Sequence, residues 1–174
     1  MEEITGDPIY EILAKEYEDL LLDYAVIGCN EDYLGEGTHR DAVKVFLSLL
    51  GNRRREDDED FDGFTFDEQR MSCQKYDVKE FFSTDGGQLK SPGMSYWRAF
   101  SDPPYPLTCG KNGFKRINAI LFPEDHRDAL EIFTWNNDFS DYFDEGKEWW
   151  GTALWSIYDK QAKRFVLIGA SLTD

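Results

Sequence analysis

The 174-residue chain is expected to fold as a single α+β domain, with an antiparallel sheet centred on a C-terminal hairpin at about 152–170 and N-terminal helices packed on one face. Three observations predict this. Two apolar runs, Thr152 to Tyr158 and Arg164 to Ala170, flank the polar stretch Asp159-Lys160-Gln161-Ala162-Lys163, as two strands joined by a turn do. Both runs are apolar on either parity, so one face of the sheet packs on helices and the other is at least partly covered. Helical patterns come mostly first and strands last, without β-α-β alternation, which favours an antiparallel sheet.

The elements follow in chain order. Asp7-Pro8 combines an N-cap oxygen with proline at the first helical position. Ile9, Ile12, Leu13, Leu20, Leu21 and Tyr24 then recur at helical spacing, predicting a helix from Pro8 to Tyr24 against the sheet and a loop from Gly28 to Gly37. Thr38-His39-Arg40-Asp41 approximates a capping box, and the stripe Ala42, Val45, Phe46, Leu49, Leu50 predicts a helix closed by Gly51-Asn52. Residues 52–64 set three arginines against a run of acids, a block expected to be a mobile acidic loop. A short helix is expected near Glu68 to Gln74, a strand within Tyr76 to Phe82, and a turn at Asp85-Gly86-Gly87.

Ser91-Pro92 opens another helix carrying Tyr96, Trp97 and Phe100, which Asp102-Pro103-Pro104 ends because proline denies the helix its hydrogen bond. Asn112-Gly113 reads as a turn, and Phe114, Ile117, Ile120 and Leu121 form a helical stripe closed by Pro123. Ala129 to Trp135 alternates like a strand, and a loop from Asn136 to Lys147 leads to the hairpin.

Charge is the most distinctive bulk property. The formal net charge is −16, and residues 1–87 hold 23 acids against 9 bases while residues 88–174 hold 12 against 10. Such a field repels phosphate backbones, which disfavours direct DNA or RNA binding, and no nucleic-acid partner is expected. It attracts basic protein surfaces and speeds their encounter. The three cysteines are scattered and form no C-x-x-C, so neither zinc nor a disulfide framework is indicated, and no cofactor is expected. The acidic start MEEITGDPIYEIL lacks the pattern of a secretion signal, and no apolar run is long enough to span a bilayer; the expectation is a cytoplasmic protein without a membrane partner. Oligomeric state is not legible.

Catalytic signatures are sparse. His39 and His126 are the two histidines, and both are expected to be exposed; no nucleophile elbow, P-loop or H-E-x-x-H accompanies them. Three constellations remain. The acidic run Glu56, Asp57, Asp58, Glu59, Asp60, Asp62 suits a cationic partner surface. Within it, Asp58, Asp60, Asp62 and Gly63 match the opening of a calcium loop, but Gln69 stands where a bidentate glutamate is required, so affinity should be poor. Trp135, Asp141, Asp144, Glu148, Trp149 and Trp150 could form a tryptophan-lined pocket with carboxylates for proton transfer, as in a glycosidase.

The leading expectation is therefore an acidic protein-binding module. In its sharpest form this is a bacterial immunity or inhibitor-type protein that neutralises a basic protein partner, a nuclease-type toxin, by electrostatic complementarity. In size, charge and tryptophan content the chain looks like small cytosolic immunity proteins, a likeness of bulk properties. The alternatives are a small carboxylate-dependent hydrolase and a calcium-responsive binding module.

Overall fold

The computed structural model describes residues 1–85, 93–102, 110–149 (Trp149 by its backbone only) and 151–171. Among these, six strands form one fully antiparallel sheet: β1 (Glu2–Glu3), β2 (Asp23–Gly28), β3 (Cys73–Tyr76), β4 (Leu130–Trp135), β5 (Thr152–Asp159) and β6 (Arg164–Ser171). Their spatial order is β1-β2-β6-β5-β4-β3. The C-terminal hairpin is the central pair, in register from Thr152↔Ser171 to Asp159↔Arg164. Both its strands are buried almost end to end, which is why they read as apolar on both parities.

Helices cover both faces. On one, Trp155, Ile157, Val166 and Ile168 pack against Ile9 of α1 (Pro8–Glu16), Phe81 of α3 (Val78–Phe81), Tyr96 and Phe100 of α4 (Tyr96–Ser101), and Phe114, Ile117 and Leu121 of α5 (Gly110–Leu121). On the other, Leu154, Phe165 and Leu167 meet Ala42, Val43, Phe46, Leu47 and Leu50 of α2 (Glu36–Asp57). Aromatic side chains fill much of both layers; Trp155, Tyr96, Phe46 and Phe165 have no accessible surface, and each such ring removes a large apolar area from water.

Several boundaries differ from the sequence expectation. The first helix starts as predicted, with Asp7 Oδ1 accepting the Ile9 N–H at 3.0 Å, but ends at Glu16. Tyr24 to Ile27 belong to β2, paired residue for residue with β6. Their side chains alternate between the two cores, so long-range pairing overrides a helical spacing that Leu20, Leu21 and Tyr24 match by coincidence.

The second helix begins two residues before Thr38, after Gly35 at φ 71°. Thr38 lies inside it, and its hydroxyl accepts the Leu34 N–H at 2.8 Å. This helix also continues to Asp57, so 52–57 is helical and only 58–64 is a connection. Gly51 is therefore no stop signal. It is buried in mid-helix, where a Cβ would come within 3.3 Å of Gly63 Cα; the glycine admits the returning chain. Arg54 and Arg55 suit the last turn, whose free carbonyls favour cations.

Further on, residues 68–70 form turns and Cys73–Tyr76 the edge strand β3, where a short helix had been expected. The strand predicted within 76–82 is instead α3, capped by Asp77, which accepts the Glu80 N–H at 2.9 Å. Asn112-Gly113 lies inside α5. The loop predicted for 136–147 holds a 3-10 helix, Asp141–Phe143, and then α6 (Asp144–Trp149). Ser95 caps α4; the predicted start at Ser91-Pro92, Gly86-Gly87 and the proline run from Pro103 lie outside the described residues. No helix among those described is long and apolar enough to cross a membrane.

Candidate functional site

The chain reversal after α2 borders an open cleft of about 830 Å³. One wall is the end of α2, with Leu50, Arg53, Arg54 and Asp57; the other is Asp141, Tyr142, Asp144 and Glu145. Asp23, at the start of β2, and Ser171, at the end of β6, also line it, as do Phe61 and Phe64. A second hollow of about 440 Å³, which includes Asp67, Arg70 and Asp138, adjoins it along Asp141 and Asp144.

Local contacts hold these parts in place. Arg55 clamps the 58–63 turn, its Nε donating to Phe61 O at 2.9 Å and its Nη2 to Asp62 O. Gly63 sits at φ 102°, a left-handed conformation, and a Cβ there would meet that guanidinium at 2.7 Å. Beyond the turn, the Asp141 carboxylate accepts the Thr65 N–H and hydroxyl at 2.9 and 2.7 Å, and Ser140 donates to Thr65 O. An aromatic ladder runs inward from the turn, Phe61 to Phe64 to Tyr142 to Phe46, with ring centroids 5.0, 5.3 and 6.2 Å apart. The phenylalanines that interrupt the acidic block thus tie it to the core.

At the cleft, the Tyr142 hydroxyl donates to Asp23 Oδ2 at 2.7 Å. Burial raises the Asp23 pKa, against the lowering effect of that bond and of nearby Arg53, and burial also pushes the Tyr142 phenol up. The approach of Tyr142 depends on Gly169, the β6 partner of Asp23. A Cβ at Gly169 would fall on the Tyr142 hydroxyl and within 3.0 Å of the Phe46 ring. Gly169→Ala is therefore expected to destabilise the protein by about 2 kcal/mol, as overpacking of a rigid core does, and to shift the Tyr142 absorbance. Urea denaturation with unchanged midpoint would refute this.

The predicted site residues distribute unequally. Asp57, Asp141 and Asp144 meet in the cleft. Glu56 is exposed just before Asp57, and Asp58, Glu59, Asp60 and Asp62 are exposed on the turn between lining residues Asp57, Phe61 and Phe64. Glu148 is exposed on α6 and does not line the cleft. Trp135 does not line it either; it is a core residue of α2's face, and its indole donates to Ser156 Oγ at 2.8 Å. Trp150 and the Trp149 side chain lie outside the described residues.

For calcium, Asp58 Oδ1 is turned back onto the Asp60 N–H at 3.2 Å, and Arg55 already supplies a cation to the turn. Extended chain and turns follow Gly63 where an EF-hand has its second helix. Among the described residues, no group of three or more His, Cys, Asp or Glu side chains is arranged to hold a metal ion. Sequence reasoning missed Asp23, Arg54 and Tyr142, whose neighbours in the cleft come from distant parts of the chain; Phe61 and Phe64 carried a signal, as apolar residues within a charged run.

The histidines correct a second expectation. His39 is fully buried, with Nδ1 2.7 Å from Ser156 Oγ and Nε2 2.9 Å from the Tyr33 hydroxyl. Burial lowers its pKa to about 3, against the opposing pull of Glu131, so the ring is neutral. The Ser–His contact has no nucleophilic use, because neither residue has accessible surface to present to a substrate. His126 is partly buried and faces Asp159 Oδ2 at 2.6 Å. The other Asp159 oxygen accepts the Gln161 and Ala162 N–H groups, so this contact braces the hairpin turn. Cys29 and Cys73 are free thiols, and burial pushes that of Cys73 up to about 12, far from a reactive thiolate.

In comparison with known proteins, no family model matches the chain and no curated protein matches it.

Proposed function

We propose that the protein is an acidic protein-binding module of the immunity or inhibitor type, which captures a basic segment of a protein partner in the cleft beside α2. One observation carries this reading: acids from two distant parts of the sequence, Asp57 and the Asp141–Glu145 segment, converge on a single aromatic-lined concavity. The exposed run from Asp58 to Asp62 extends its rim. A cationic nuclease groove, whose lysines and arginines would otherwise hold phosphates, is the complementary surface.

The quadruple variant Asp57→Asn, Asp58→Asn, Asp60→Asn, Asp62→Asn tests this. Its association with a basic protein recovered from the native host is expected to slow by about tenfold at low ionic strength and to lose most of its salt dependence. A recovered partner that is not basic, or unchanged rates, would sink the proposal.

A second reading, a small carboxylate-dependent hydrolase, draws support from Asp23, a carboxyl of raised pKa in the same cleft as Asp141 and Asp144. It predicts glycoside hydrolysis that Asp23→Asn abolishes; the binding reading predicts no turnover by either chain.

A further inference from the structure

The cleft contains one cation placed as a guest would be. Arg54 has its guanidinium carbon 4.8 Å over the Phe61 ring and Nη2 3.5 Å from Glu145 Oε1. Stacking on an aromatic face with a carboxylate at the rim is how a guanidinium is recognised. Unlike Arg53, which is held by Glu3 and by Tyr24 O at 3.1 Å, and Arg55, which clamps the turn, Arg54 bridges the two cleft walls. Its side chain is 40% exposed and that of Glu145 50%. A pair so exposed to water is weak and exchangeable.

Resting on the binding function proposed above, we infer that the Phe61–Glu145 seat is the cleft's arginine-recognition subsite, and that Arg54 fills it in the free protein as an internal competitor. A partner's arginine displaces Arg54 into solvent and takes over both contacts. Lysine is a poorer occupant, because its compact ammonium lacks the planar stacking surface of a guanidinium. The occupant is thus an arginine of a basic protein segment, matched by the carboxylates Asp57, Asp144 and Glu145 around the seat.

Two synthetic peptides of equal length and charge, one bearing arginines and the other lysines, test this by isothermal titration against the full chain, Arg54→Gln, and Arg54→Gln combined with Phe61→Ala. Removing Arg54 is expected to tighten the arginine peptide about fivefold, the scale of a partly desolvated cation–π contact, and the lysine peptide distinctly less. The added Phe61→Ala change should erase the difference between peptides. Circular dichroism confirms that each variant is folded. Equal gains for both peptides, or no gain, would overturn the subsite while leaving the acidic cleft as a binder. If neither peptide binds any of the three chains, the binding function fails together with the subsite.

Discussion

Replacing Arg164 by methionine is expected to cost about 3 kcal/mol and to lower the melting temperature by roughly 10 °C. Arg164 stands at the start of β6, where three elements meet. Its Nη1 lies 2.6 Å from Asp7 Oδ2 and its Nη2 donates to Leu121 O at 2.8 Å, joining the sheet to the start of α1 and the end of α5. Asp7 is buried and Arg164 partly so, with side-chain exposures of 6% and 16%. Without the guanidinium, the Asp7 carboxylate would remain out of water with only the helix N-terminus to offset its charge, and a buried charge stripped of its partner is expensive.

The double variant Asp7→Asn, Arg164→Met should recover part of that loss, since asparagine still caps the helix and carries no charge. A double-mutant cycle by urea denaturation reads the difference. Additive losses would show that the pair is not coupled.

Acid should weaken the fold through His39 by a similar amount. The folded-state pKa of about 3 lies below the ordinary value of 6.5. The unfolded chain therefore binds the proton first as pH falls. The contribution is intact above about pH 6.5 and declines toward pH 3, reaching roughly 3 kcal/mol between pH 7 and pH 4. Carboxylates impose their own acid dependence, so the informative quantity is the stability difference between the natural chain and His39→Gln at the two pH values. It should shift by about 3 kcal/mol in favour of the variant on acidification. Parallel pH profiles would mean that water reaches the imidazole.

These expectations show how unevenly the molecule can be read from its residues. The hairpin was legible because strands buried on both faces need apolar residues at both parities, as the neighbours Leu154 and Trp155 on β5 and Leu167 and Ile168 on β6 show. The cap of α1 was legible because Asp7-Pro8 acts within one turn. The β2 strand was not, since Tyr24 to Ile27 become a strand by pairing with β6, far along the chain. Gly51 misled for a related reason: its small size serves the chain returning through Gly63, a contact that local helix rules do not contain.

The candidate site divides in the same way. The order of residues alone determined that the charge is concentrated in residues 1–87, and that the block after Arg55 is acidic and interrupted by Phe61 and Phe64. Only the tertiary structure decided that this block faces Asp141, Asp144 and Glu145 across a cleft, that Tyr142 reaches Asp23 over Gly169, and that His39 is sealed against Ser156. Periodicity, caps and charge runs act over a few residues and are written in order along the chain. Burial, and the meeting of groups more than 80 positions apart such as Asp57 and Asp141, arise from how the sheet and its helices pack.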